Sequence, residues 1–363
     1  LVEYCPFADA SDLSSYEGRE VNRVCPAGDA REGCDFDSIQ RAVDAAASGS
    51  RIEIVGDGEA YDQCAVIPDT MEDVEIVGVC GRAHIKDTVC QSKGIFVNLG
   101  RDIKLVHLEV SGAEIGVAEG RNAAAVRDQG LGGLDLRYVY FHHNQNGILG
   151  GNGAVRIDWS RFEANGSALD PGYTHNTYFS ADVDNVIIEN SIFLRAAYEG
   201  NNMKSRAKRM EFRCSVSASL NGADSREMDI SEGGELLIEN SLIQQGVESV
   251  NSGMIGFATE AGNEARRHDT QSIVIRETDF LNDKDRGTFL AYNAFNGLSV
   301  ELEKVRFIGP GTPVENTNDG EEGSRTMTDV TYPESRTEAG LSAYDGGLAS
   351  LPAPPGCDDF EYF

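Results

Sequence analysis

Basic residues are scarce in this chain. Its 363 residues carry 31 Lys and Arg against 60 Asp and Glu, a formal charge of −29. That balance argues against a nucleic-acid partner, whose affinity comes mainly from cations neutralising phosphates. It suits a soluble protein, and saline surroundings in particular, where screening shortens the repulsion. Long apolar runs are missing too. None approaches 18 residues, so no membrane span is expected. There is one Trp, and ten Pro stand against 40 Gly, which points to many short turns and few long helices. Exposed aromatic platforms are few, Tyr138, Tyr140, Trp159, Tyr173 and Tyr178 at most. Leu1 opens on a polar segment with no leader pattern, as a mature or trimmed N-terminus would.

Eight cysteines are present, yet none forms a C-x-x-C pair, which argues against a zinc knuckle or a thioredoxin-type site. Six of them, Cys5, Cys25, Cys34, Cys64, Cys80 and Cys90, fall in the first ninety residues, with Cys214 and Cys357 far away. The cluster reads as two or three disulfides bracing an N-terminal cap. The expected location is therefore secreted or periplasmic; reduced, buried cysteines in a cytosolic protein are the alternative.

Residues 1–50 read as this braced segment followed by a short helix. Phe36, Ile39, Val43 and Ala46 or Ala47 form its apolar stripe, and Gly49 is its stop. Such a helix can plug the open end of a stack of strands. From 51 to 310 the chain repeats itself. Copies begin at Leu134, Val155, Val186, Met210, Leu236, Ile273 and Val300, each a short strand, a bend and a second apolar strand. Short strands at 20–40-residue spacing, without helices between them, mean stacked coils. The expected fold is all-β, a right-handed parallel β-helix of nine to eleven coils. A β-propeller is the alternative. Asn144, Asn165 and Asn190 mark the bends and read as structural, tolerating left-handed backbone or bonding to stacked neighbours. Residues 311–363 read as an irregular acidic tail along the solenoid.

Against this acidity, Lys204, Arg206, Lys208, Arg209 and Arg213 crowd into ten residues. Strand alternation puts Met203, Ser205 and Ala207 inside, and Asn202, Lys204 and Arg206 outside. Coils stack about 4.8 Å apart. One coil upstream, Asn176 and Tyr178 are expected to face outward, with His175 inward. One coil downstream, Glu227 and Asp229 are expected outward. The result would be an anion-binding ledge. Lys208, Arg209 and Arg213 read first as a turn and its solvated flank, and Glu227 and Asp229 alternatively as ion partners of the cations.

The coil pattern, the capping helix and Asn202-Met-Lys-Ser-Arg206 resemble the pectate-lyase-like β-helix superfamily, over about residues 36–310. Lys204-Ser205, with Arg226 one coil later, is similar to the family 6 alginate lyase and chondroitin B lyase type. Of the acidic run that precedes the lysine in that type, only Glu199 stands nearby. The resemblance implies β-elimination on a uronate-containing polysaccharide, and possible Ca²⁺. Chemistry then suggests roles. Lys204 would be the base, its pKa depressed by Arg206 and Arg226. Tyr178 or Arg226 would protonate the leaving oxygen. Arg206, Asn202 and Asn176 would grip the uronate carboxylate, with His175 and Arg209 as further substrate contacts. Glu227 and Asp229 would hold calcium. Other readings are a glycoside hydrolase using Glu227 and Asp229, about 7 Å apart, a C5-epimerase, and a non-catalytic glycan-binding solenoid. The partner is an acidic polysaccharide or oligosaccharide, and the chain is expected to act as a monomer.

Overall fold

The computed structural model describes residues 18–28, 33–57, 59–260, 268–318, 323–357, 360 and 362. Every paired strand among them runs parallel to its neighbour, forming sheets of twelve, ten and nine strands. The chain visits the sheets in turn, so each coil adds one rung to each. This is a right-handed parallel β-helix. No helix among the described residues is long and apolar enough to cross a membrane.

The seven repeat copies lie on top of one another in the twelve-stranded sheet. Leu134 pairs with Val155, Val155 with Val186, and Val186 with Met210. Met210 pairs with Leu236, Leu236 with Ile273, and Ile273 with Val300. Apolar side chains at the first and third positions of each copy face the core because strand side chains alternate. The fifth position is the corner. Tyr138, Trp159, Asn190, Cys214, Asn240, Glu277 and Lys304 all have φ between 42° and 54°, so the corner is left-handed whatever residue occupies it. Beyond it, the nine-stranded sheet sends Phe141, Phe162 and Phe193 inward. Phe162 and Phe193 stack with centroids 4.9 Å apart.

Asn144 and Asn165 are not at left-handed corners. They belong to an interior ladder. Asn144 Nδ2 donates to Asn165 Oδ1 (2.9 Å), Asn165 to Asn176 (2.8 Å), and Asn176 to Asn202 (2.6 Å). Asn202 Nδ2 then donates to Glu227 Oε2 (2.7 Å). Each amide satisfies the next inside a low-dielectric core, where an unpaired one would be costly.

The capping helix is shorter than the stripe suggested, Ile39–Ala45, with Ser38 accepting from the Arg41 amide at its start. It buries Ile39, Ala42 and Val43 against the first coil. Among the described residues, the disulfides Cys25–Cys34 and Cys64–Cys90 brace this end, where Cys80 is disulfide-bonded too; Cys5 lies outside the described residues. The solenoid also runs past Pro310. Strands Thr312–Asn316 and Ser324–Thr328 add a rung to the ten- and twelve-stranded sheets. Only then does the chain turn back along the nine-stranded sheet. Cys214–Cys357 pins it there, with Arg336 paired to Asp283.

Candidate functional site

The ten-stranded sheet carries the predicted ledge. Tyr178 pairs in register with Lys204, and Lys204 with Asp229. Met203, Ser205, Met228 and Ile230 are buried, which turns the middle residue of each three-residue strand outward. Coils of 26 and 25 residues make this column, so spacing alone was enough to find it.

Arg206 projects beside Lys204, and the two cations are held by carboxylates. Lys204 Nζ donates to Asp229 (2.8 Å) and to Glu260 Oε1 (2.5 Å). Arg206 donates to Glu232 (2.6 Å), to Glu260 Oε2 (2.5 Å) and, through Nε, to the Tyr178 hydroxyl oxygen (2.8 Å). The ledge is therefore not a bare positive patch; its formal balance is two cations against three carboxylates. Lys204 and Arg206 are only 12% and 16% exposed, while Glu260 is 41% exposed.

This changes the electrostatics expected for the lysine. Burial alone would lower the Lys204 pKa, but Asp229 and Glu260 outweigh it and hold it above the ordinary value. Lys204 is thus a firm ammonium, not the depressed base that like charges would have made. Arg226 does not press on it. Its guanidinium lies over Gly253 and Gly256 of the next coil, where a Cβ on Gly253 would come within 2.5 Å of it, and burial lowers its pKa. Glu260 is also shifted. Burial would raise it, but Lys204 and Arg206 prevail and hold it below the usual carboxylate range.

Three predicted outward residues point inward. Asn176, Asn202 and Glu227 are fully buried. Each sits one residue before its strand, in the corner where the backbone turns, and period-two alternation does not extend through a corner. Asn176 and Asn202 are ladder amides and cannot grip a substrate from there. Glu227 accepts from Asn202, Ser217 and Ser219, the last two at 2.6 Å. Its oxygens are spent on the interior, so Glu227 and Asp229 do not make a calcium pair or a hydrolase pair. His175 is 2% exposed. Its Nδ1 accepts from the Asn201 amide (3.0 Å), and its ring stacks behind Tyr178. Burial, then the nearby Lys204 charge, depress it to about 3, so it backs Tyr178 as a neutral ring rather than meeting substrate. Arg209 lies on the twelve-stranded sheet, bonded to Glu211 (2.6 Å), away from this column.

Sequence reasoning missed Glu232 and Glu260. Glu232 had a signal: it follows Arg206 by 26 residues, the same interval that separates Tyr178 from Lys204. Glu260 had none. It comes from two coils beyond Lys204, past the end of its strand, where coil length is irregular.

No protein-family model matches the sequence, and no curated protein matches it. Among solved structures, the crystal structure of pectate lyase Pel9A is similar, with a TM-score of 0.49 and 16% identity over 79% of each chain. The likeness is one of fold.

Proposed function

We propose that this chain is a polysaccharide lyase, cleaving a uronate-containing polysaccharide by β-elimination on the outer face of the ten-stranded sheet. One observation carries the reading. The Glu260 carboxylate bridges Lys204 and Arg206, one oxygen on each cation at 2.5 Å. A uronate carboxylate has the same charge and the same fork of oxygens. It would replace Glu260, whose side chain is the most exposed of the three carboxylates.

Neutralising that carboxylate makes the C5 proton more acidic. Lys204 keeps its proton, so the base passes to Asp229, which is stacked beside it. The C5–H bond breaks with its proton going to Asp229, and the electron pair forms the C4–C5 double bond. The C4–O4 bond breaks, and O4 takes the Tyr178 proton. That proton is free to move outward, because the Tyr178 oxygen is the acceptor in its bond from Arg206. A proton returns from Asp229 to Tyr178 through solvent. Hydrolysis by the predicted carboxylate pair is disfavoured because Glu227 is sealed inside. The disulfides support secretion into an oxidising compartment.

The test is a screen against alginate, pectate, glycosaminoglycans and bacterial exopolysaccharides, with and without chelator, reading absorbance of the unsaturated product. Wild type should produce it on a polyuronate. Arg206→Ala and Tyr178→Phe should each lower kcat/KM about 100-fold or more. Cleavage without a double bond, or full activity in Arg206→Ala, would sink the proposal.

A further inference from the structure

On another face of the solenoid, two of the six histidines meet one glutamate. Strand Ala83–Lys86 lies beside strand Leu108–Ser111, with His84 directly opposite Glu109. Strand Tyr140–His142 follows, with Tyr140 opposite Glu109 and His142 opposite Ser111. Ile85, Val110 and Phe141 are buried, so His84, Glu109, Tyr140 and His142 all face outward from three successive coils.

His84 Nδ1, Glu109 Oε1 and His142 Nε2 converge. The first two are 3.7 Å apart and the last two 3.1 Å, and all three lie within 4.8 Å of one another. Each imidazole turns its other nitrogen to a second partner. His84 Nε2 meets the Ser111 hydroxyl (2.8 Å), and His142 Nδ1 meets His143 Nδ1 (2.8 Å). The Tyr140 ring stacks on His142 with centroids 4.2 Å apart, holding it in place. Lys86, on the same strand as His84, is paired with Asp62 and Asp87.

We infer that His84, Glu109 and His142 form a binding site for one divalent transition-metal ion of the zinc type. A hydrogen-bonded network alone leaves His84 Nδ1 unexplained, because 3.7 Å is too long for a hydrogen bond. An ion among the three donors explains all of them. Zinc–nitrogen bonds of about 2.0 Å place tetrahedral ligands about 3.3 Å apart, between the two separations seen. Two nitrogens and one carboxylate suit zinc, and not calcium, which takes oxygens. A second partner on each imidazole is what fixes a ligating histidine's tautomer and aim. The three side chains are 16–28% exposed, so a fourth position opens to solvent and would hold water or an exchangeable anion.

The test is calorimetric titration of tag-free, chelator-treated protein with Zn²⁺, followed by Co²⁺ substitution read in the visible spectrum. One ion per chain should bind at micromolar concentration or tighter. His84→Ala with His142→Ala should abolish that binding. Glu109→Gln, which keeps the volume, should weaken it tenfold or more and change the Co²⁺ spectrum. Lys204→Ala should bind zinc like wild type, which separates this site from the proposed lyase centre. Absence of stoichiometric binding by wild type, or unchanged binding by folded Glu109→Gln and by the double variant, would overturn the inference.

Discussion

Glu227 ends the asparagine ladder as a carboxyl where the preceding coils carry amides. Burial drives its pKa up, against the opposing pull of Ser217, Ser219 and Asn202, to about 7 from 4.5. The folded protein therefore holds this proton more tightly than the unfolded chain. Its contribution is fully present below about pH 4.5 and is lost as the pH rises through about 7. The shift corresponds to about 3 kcal/mol. Glu227→Gln removes the titration and keeps the hydrogen bonds, since its amide oxygen can accept from Asn202 and Ser217 while its NH₂ donates to Ser219. For a chain of this length that is about 4 °C in Tm. Calorimetry of both proteins at pH 5 and pH 8 should show the variant gaining this much on wild type at the higher pH. Some pH dependence should survive in the variant. Asp128 is also pushed up, to about 6, by burial, and buried Asp224 is raised by burial and by Glu227 itself. If the difference between the two proteins were the same at both pH values, Glu227 would be no buried proton-holder and the ladder argument would fail.

Two further outcomes follow from the same geometry. Glu260→Gln should tighten binding of an unsaturable oligouronate about fivefold, as expected for removing a partly exposed anion from a cationic cradle; weaker binding by calorimetry would mean that Glu260 contacts substrate instead of standing in for it. Asn202→Ala should cost about 3 kcal/mol, because it leaves the Asn176 and Glu227 side chains and the Ala196 amide short of partners; a Tm unchanged from wild type would show that the ladder is dispensable.

The solenoid was legible from residue order. Its repeat copies start at the residues that pair in space, even the degenerate one at Met210. The column Tyr178, Lys204, Asp229 was legible for the same reason: alternation within a strand is local stereochemistry, and coils of nearly equal length convert sequence spacing into stacking. Corners broke that logic. Asn176, Asn202 and Glu227 lie one residue outside their strands, and a bent backbone there sends side chains inward regardless of parity. Charge balance was also beyond the sequence. The crowding of cations around Lys204 suggested a depressed pKa, but what sets it is Asp229 and Glu260 at hydrogen-bond distance, and Glu260 arrives 56 residues later. The convergence of His84, Glu109 and His142 has the same origin, since coils of unequal length decide which outward side chains share a point. Local pattern determined the elements and their inner faces; proximity across coils, and with it the ionisation of Lys204 and Glu260, was decided only when the coils closed on one another.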